Sequence, residues 1–116
     1  MCGIAKRSES NTVTAILKYL QCMENSKQIA WVDRLNSGGA VIGKRRIRLC
    51  RKGTPDIMVI LNTGGMVWIE VKTDTGRLSL DQYNWRVMVE NISDHTYLVV
   101  RDLDALVEHF KSMGVK

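Results

Sequence analysis

Two rhythms of apolar and polar residues divide the chain. From Ser8 or Ser10 to about Met23, Val13, Ile16, Leu17 and Leu20 recur at i, i+3, i+4 and i+7, the apolar stripe of an amphipathic helix. Ile29 to Leu35 reads as a strand, closed by the turn residues Asn36-Ser37-Gly38-Gly39. Ala40 to Gly43 begins a second extended piece that continues through Lys44 to Lys52, with half-buried alternation around Ile47, Arg48 and Leu49. Ile57 to Leu61 and Met66 to Ile69 are apolar runs separated by Asn62-Thr63-Gly64-Gly65, which is the signature of a β-hairpin. Ser79, with Gln82 three residues on, forms a capping box for a helix to about Asn91, with Leu80, Tyr83, Val87 and Met88 as its expected inward face. Thr96 to Val100 is a β-branched strand, reached by a crossover back into the sheet. Asp102 caps a last helix striped by Leu103, Leu106, Val107 and Phe110. The expected order is α-β-β-β-β-α-β-α, an α/β (mixed α+β) fold around a mixed sheet.

The hairpin carries the candidate chemistry. Folding the chain at residues 62–65 brings Asp56 opposite Glu70 or Val71. Alternation along a strand puts Glu70 and Lys72 on one face and turns Val71 away. Pro55 cannot donate to a sheet ladder and fixes its own φ, so it marks the start of the strand and aims Asp56. Two carboxylates and an ammonium group thus meet at the open end of an otherwise apolar hairpin. Hard oxygen ligands of this kind suit Mg²⁺ or Mn²⁺ rather than zinc, with a neighbouring backbone carbonyl, that of Val71, as a further donor. Glu9 stands one turn before Val13, at the head of the first helix's stripe. The helix dipole alone favours an acidic residue there, but the carboxylate pair also needs a third oxygen donor, and Glu9 is the candidate.

Composition adds a partner. In 116 residues with 45% hydrophobic content the expectation is one domain with one modest core and a short unanchored end at residues 1–8. No apolar run approaches the ~20 residues of a membrane span, and no secretory signal pattern opens the chain, so a cytoplasmic location is expected. Cys2, Cys22 and Cys50 are odd in number and unpaired in spacing, which reads as core thiols rather than a disulfide framework or a zinc site. His95 and His109 lack a partner at ligand spacing and read as surface residues. The net charge of +5 favours a polyanionic partner. Six of the nine residues from Lys44 to Lys52 are basic: Lys44, Arg45, Arg46, Arg48, Arg51 and Lys52. That run leads into the carboxylate hairpin, and with Arg34 and Arg77 it is expected to contact phosphates. A cation, an ammonium group and a basic approach surface meet the needs of phosphodiester hydrolysis, which are in-line positioning and neutralised charge on the phosphorus oxygens.

Gly53-Thr54-Pro55-Asp56, a spacer strand, Ile69-Glu70-Val71-Lys72-Thr73 and then Gly76-Arg77-Leu78-Ser79 with Gln82 resemble the VRR-NUC domains, a branch of the PD-(D/E)XK nuclease superfamily. The resemblance runs from Glu9 to the final helix and implies a restriction-endonuclease-like fold. It implies catalytic roles for Asp56, Glu70 and Lys72, a metal-site role for Glu9, and a place in the pocket for Gln82. Stand-alone domains this small are similar to phage and bacterial members that resolve four-way DNA junctions as dimers. Small size also favours a two-fold dimer, with Trp85 or Trp31 as interface anchors unless they go to the core, the commoner fate of Trp. The implied function is a Mg²⁺- or Mn²⁺-dependent homodimeric resolvase acting on DNA. The alternatives are a nuclease acting on flaps or duplex DNA and a non-catalytic nucleic-acid-binding module of the same fold. The segment Asn91-Ile92-Ser93-Asp94-His95 lacks the Gly that the resemblance leads one to expect there.

Overall fold

The computed structural model describes residues 9–35, 39–48 and 51–115, with the side chains of 39–42 and 46–48 left out. The expected end at residues 1–8, the turn at 36–38, Cys2, Cys50, and the side chains of Arg46 and Arg48 lie outside the described residues. The elements are α1 (Glu9–Asn25), β1 (Trp31–Arg34), β2 (Gly39–Ile42), β3 (Arg45–Arg48), β4 (Ile57–Ile60), β5 (Met66–Val71), α2 (Leu80–Glu90), β6 (His95–Val100) and α3 (Leu103–Ser112). The mixed architecture follows the expectation, with one difference of detail. The extended piece expected over residues 40–52 is divided into the antiparallel hairpin β2–β3, because Gly43 takes φ +63 and turns the chain.

The main sheet has the order β1-β4-β5-β6, with β1, β4 and β5 antiparallel and β6 parallel to β5. Helix α2 makes the crossover that parallel pairing demands. Alternation in each strand then decides the layers. Ile57 and Val59 of β4, Val67, Ile69 and Val71 of β5, and Leu98 and Val100 of β6 form one core with Val13, Ile16, Leu20 and Met23 of α1 and Leu106 and Phe110 of α3. The stripes read for α1 and α3 are therefore the buried faces of those helices. Between Val100 and α3, Asp102 accepts the Ala105 N–H at 2.8 Å and caps the last helix as expected.

The opposite face of the sheet is covered by α2, and here the expectation fails. Leu80, Tyr83, Val87 and Met88 are exposed, whereas Val89 is buried and Trp85 lies against Trp68 of β5 with ring centroids 5.2 Å apart. The apolar residues offered two possible faces, and the large contact between the indoles selects the second. Cys22 is exposed rather than a core thiol, since it falls off the stripe that buries Leu20 and Met23. His109 is exposed as expected, but His95 is half-buried and its Nδ1 accepts the Trp68 indole N–H at 3.1 Å. In the turn before β6, Asp94 supplies the left-handed conformation, φ +66, that a Gly would otherwise provide. No helix among the described residues is long and apolar enough to cross a membrane.

Candidate functional site

The site sits at the end of the hairpin formed by β4 and β5. Ile57 pairs with Ile69, so the next step along the ladder sets Asp56 opposite Glu70. Asp56 Oδ2 accepts the Val71 N–H at 2.8 Å, and this bond stitches the mouth of the hairpin and orients the carboxylate. A residue's N–H and C=O point to the same side of a strand, so the Val71 carbonyl also belongs to the Asp56 side. Glu9 arrives from the first turn of α1. One carboxylate oxygen from each of Glu9, Asp56 and Glu70 lies within 4.8 Å of the others. Lys72 extends from the same alternate set as Glu70, with its Nζ 3.8 Å from Glu70 Oε2.

The electrostatics of Glu70 are unusual for a carboxylate. Its side chain is 2% exposed, and Oε1 is buried without a hydrogen-bond partner among the described residues. Burial in the first place, then the charge of Asp56 and a side-chain hydrogen bond to it, push its pKa up to about 9 from 4.5. Lys72 pulls the other way and is outweighed, while Glu9 adds to the rise. A buried acidic oxygen with no donor, beside two more carboxylates, fits a hard divalent cation, whose charge would replace the proton. Mg²⁺ and Mn²⁺ both suit an all-oxygen donor set, and the residues do not choose between them.

Glu9, Asp56, Glu70 and Lys72 are brought together, and Gln82 takes the capping role expected of it. Gln82 Oε1 accepts the Ser79 N–H at 2.9 Å and Ser79 Oγ accepts the Gln82 N–H at 3.2 Å, so the capping box is real and holds the Gln82 oxygen at the start of α2. Of the expected phosphate-contacting residues, Arg34, Lys44, Arg45, Arg51, Lys52 and Arg77 are exposed. Lys52 forms an open ion pair with Asp81 at 3.4 Å.

Two residues escaped the sequence reading. Arg101 follows β6 directly, and its guanidinium donates to the carbonyls of Thr73 and Gly76, the latter at 2.8 Å. It thereby pins the loop that leaves Lys72. A Cβ on Gly76 would stand 2.9 Å from Thr73 Oγ1, so the loop is closely packed as well as clamped. Tyr97 pairs with Trp68 across the parallel ladder, and its hydroxyl is buried without a partner among the described residues. Burial, followed by the charge of Glu70, holds that hydroxyl above the ordinary phenol range, so it stays protonated. Pairing with a strand two residues from Glu70 was the available signal for Tyr97, but it needed the β5–β6 register. Arg101 had no local signal.

The mixed sheet thus gathers three carboxylates and a lysine at its hairpin end, a cluster able to hold a metal ion. The profile of the VRR-NUC domain matches residues 6–101, and the chain belongs to the VRR-NUC family. A solved structure described as a VRR_NUC domain is similar over 85% of this chain and 97% of its own, at 23% identity and a TM-score of 0.54, which is a likeness of fold. No curated protein matches the chain. A nuclease domain implies a nucleic-acid partner, in keeping with the basic run ahead of Asp56.

Proposed function

We propose that the protein is a divalent-cation-dependent DNA endonuclease that cuts branched DNA as a homodimer, with the four-way junction as its substrate. The observation that carries this reading is the cluster of Glu9, Asp56 and Glu70 within 4.8 Å of one another, with the Lys72 ammonium beside it. Glu9, Asp56, Glu70 and the Val71 carbonyl would hold Mg²⁺ or Mn²⁺. When bound, such an ion supplies positive charge against the scissile phosphate and acidifies water.

The chain's own residues do the rest. Glu70, buried and holding its proton until a cation replaces it, gives the site its strongest demand for positive charge. Asp56 is aimed by its bond from the Val71 N–H. Lys72 donates to the attacking water or to a phosphorus oxygen and offsets charge that develops in the transition state. Its backbone is steadied by the Lys72 N–H bond to Val100 O at 3.0 Å and by the Arg101 clamp on the following loop. Gln82, held at the N-terminus of α2 by its capping bond, would line the pocket as the resemblance implies. Arg34, Lys44, Arg45, Arg46, Arg48, Arg51, Lys52 and Arg77 draw the phosphate backbone toward the cluster.

The dimer is supported by α2. Leu80 and Tyr83, 75% and 54% exposed, and Val87 form an apolar ridge at i, i+3 and i+7 that the described residues leave uncovered. A two-fold axis at that ridge would pair two sites for two symmetry-related strands. Trp85, offered above as an interface anchor, is half-buried with its ring against Trp68 and lies off that ridge.

The test is incubation with labelled four-way junction, flap and linear duplex in Mg²⁺, Mn²⁺ or EDTA. The reading expects the junction to be cut in either metal and left intact in EDTA. Binding without cutting in both metals would leave a nucleic-acid-binding module, and equal cutting of all three substrates would remove the preference for branches.

A further inference from the structure

A second built feature lies beside the carboxylate cluster. The turn ahead of Asp56 is closed by Thr54, whose N–H and hydroxyl both donate to the Arg51 carbonyl. At Gly53, φ is +90 and an added Cβ would stand 2.6 Å from the Asp81 carbonyl oxygen, so the turn presses its bare backbone onto the first turn of α2. Between turn and helix runs a groove of about 260 Å³, lined by Arg51, Lys52, Asp81, Asn84, Trp85 and Met88. The last four recur at i, i+3, i+4 and i+7, a single face of α2. That face is separate from the ridge of Leu80, Tyr83 and Val87. The indole of Trp85 leans on Trp68 and also lines the groove.

We propose that this groove seats one unpaired nucleotide of the bound DNA, its base stacked on Trp85 and flanked by Met88. The Asn84 amide, with a donor and an acceptor, meets the base edge, and Arg51 and Lys52 hold the adjoining phosphates. The proposal rests on the nucleic-acid reading above for its ligand and deepens it by naming what makes a branch recognisable. Size is the first argument. The groove is smaller than the ~300–1,000 Å³ of pockets that enclose drug-sized ligands, and suits a single ring system. Charge is the second, because the Lys52–Asp81 pair is open to solvent, so it is weak and releases Lys52 to a phosphate at little cost. Position is the third. Lys52 precedes Asp56 by four residues, a reach of at most ~14 Å of chain, or about four base steps of a strand. A base in intact duplex must be unpaired and unstacked to enter, whereas a branch point offers one already free. The groove would thus convert a break in stacking into a grip close to the reacting phosphate.

Binding is measured in EDTA, so that cutting plays no part, by fluorescence anisotropy with a splayed duplex and a linear duplex of equal length. An abasic residue is moved through the first few unpaired positions of the splayed strand. Wild type is expected to lose about 5-fold or more in affinity at one of those positions. Trp85→Leu should lose as much with the parent strand and nothing further with that abasic strand. Trp85→Phe should retain most of the affinity, and linear duplex should bind all three proteins alike. Should Trp85→Leu fail to fold, the abasic scan with wild type and the Asn84→Ala variant still decides the matter. Equal binding of parent and abasic strands by wild type would overturn the proposal, as would an equal loss on linear duplex. A protein that never cuts yet shows the Trp85-dependent abasic effect retains the groove and loses the hydrolytic reading. One that cuts junctions without any abasic effect does the reverse.

Discussion

The alternate residues of β5 make two environments from one strand. Val67, Ile69 and Val71 enter the core against α1 and α3, each fully buried and each surrounded by apolar neighbours. Trp68 and Glu70, with Lys72 beyond them, belong to the other set, which keeps polar groups out of water: Glu70 Oε1 and, from the adjacent β6, the Tyr97 hydroxyl. The first set stabilises the fold by removing apolar surface from water. The second set opposes folding, since a buried polar group without a partner costs free energy. Such a cost is retained at sites where a ligand later offsets it, and the three-carboxylate cluster supplies the reason here.

Substitutions on the two sides should therefore act with opposite sign on stability. The largest effect belongs to the core, where Phe110→Ala should cost ~3–5 kcal/mol by chemical denaturation, through lost burial and a cavity. On the other set, Glu70→Ala or Lys72→Ala should lower junction cleavage by about 100-fold or more in single-turnover assays while the protein stays folded. Wild-type rates in either variant would detach these residues from the chemistry. Glu70→Gln should also lose cleavage, yet raise Tm in metal-free buffer at pH 8 by ~4 °C or more, because a neutral amide replaces a carboxylate that burial resists ionising.

The pH dependence sharpens the contrast. Glu70 binds its proton more tightly in the folded chain, at a pKa of about 9, than in the unfolded one, at 4.5. Stability present below pH 4.5 should thus be lost progressively as pH rises toward 9, so that metal-free Tm falls between pH 5 and pH 8.5. Added Mn²⁺ should recover it, most strongly at the upper end, and a Tm that climbs through this window without metal would count against the buried carboxylate. The smallest effect is expected from Tyr97→Phe. Removing a hydroxyl that has no partner among the described residues should leave metal-free stability within ~1 kcal/mol of wild type or slightly above it. A clear loss would mean that the hydroxyl has a role in holding Glu70.

What was legible in the sequence divides along the same lines. The helical stripes of α1 and α3 could be read because period and burial agree, whereas the continuous apolar run Ile57 to Leu61 did not say that Ile57 and Val59 are the residues that enter the core. Asp56, Glu70 and Lys72 were legible because Pro55 marks the strand start and the hairpin loop sets the register within one residue. Helix α2 was misread because its apolar residues occupy more than one face. Only the meeting of Trp85 with Trp68, and of Gly53 with the Asp81 backbone, decides which face turns inward. Gly43 was a visible turn signal inside a run that otherwise continued the alternation of a strand. Tyr97 and Arg101 act through tertiary neighbours, Glu70 in one case and the Thr73–Gly76 loop in the other, and no local pattern announces such partners.

The most direct measurement is calorimetric titration of Mn²⁺ into wild type and Glu70→Gln at pH 8, after both are shown to be folded. Wild type should bind saturably, with release of protons as the cation displaces the one held by Glu70, and Glu70→Gln should give no binding heat in the same range. If the two proteins bound Mn²⁺ with the same affinity, the carboxylate cluster would not be the metal site.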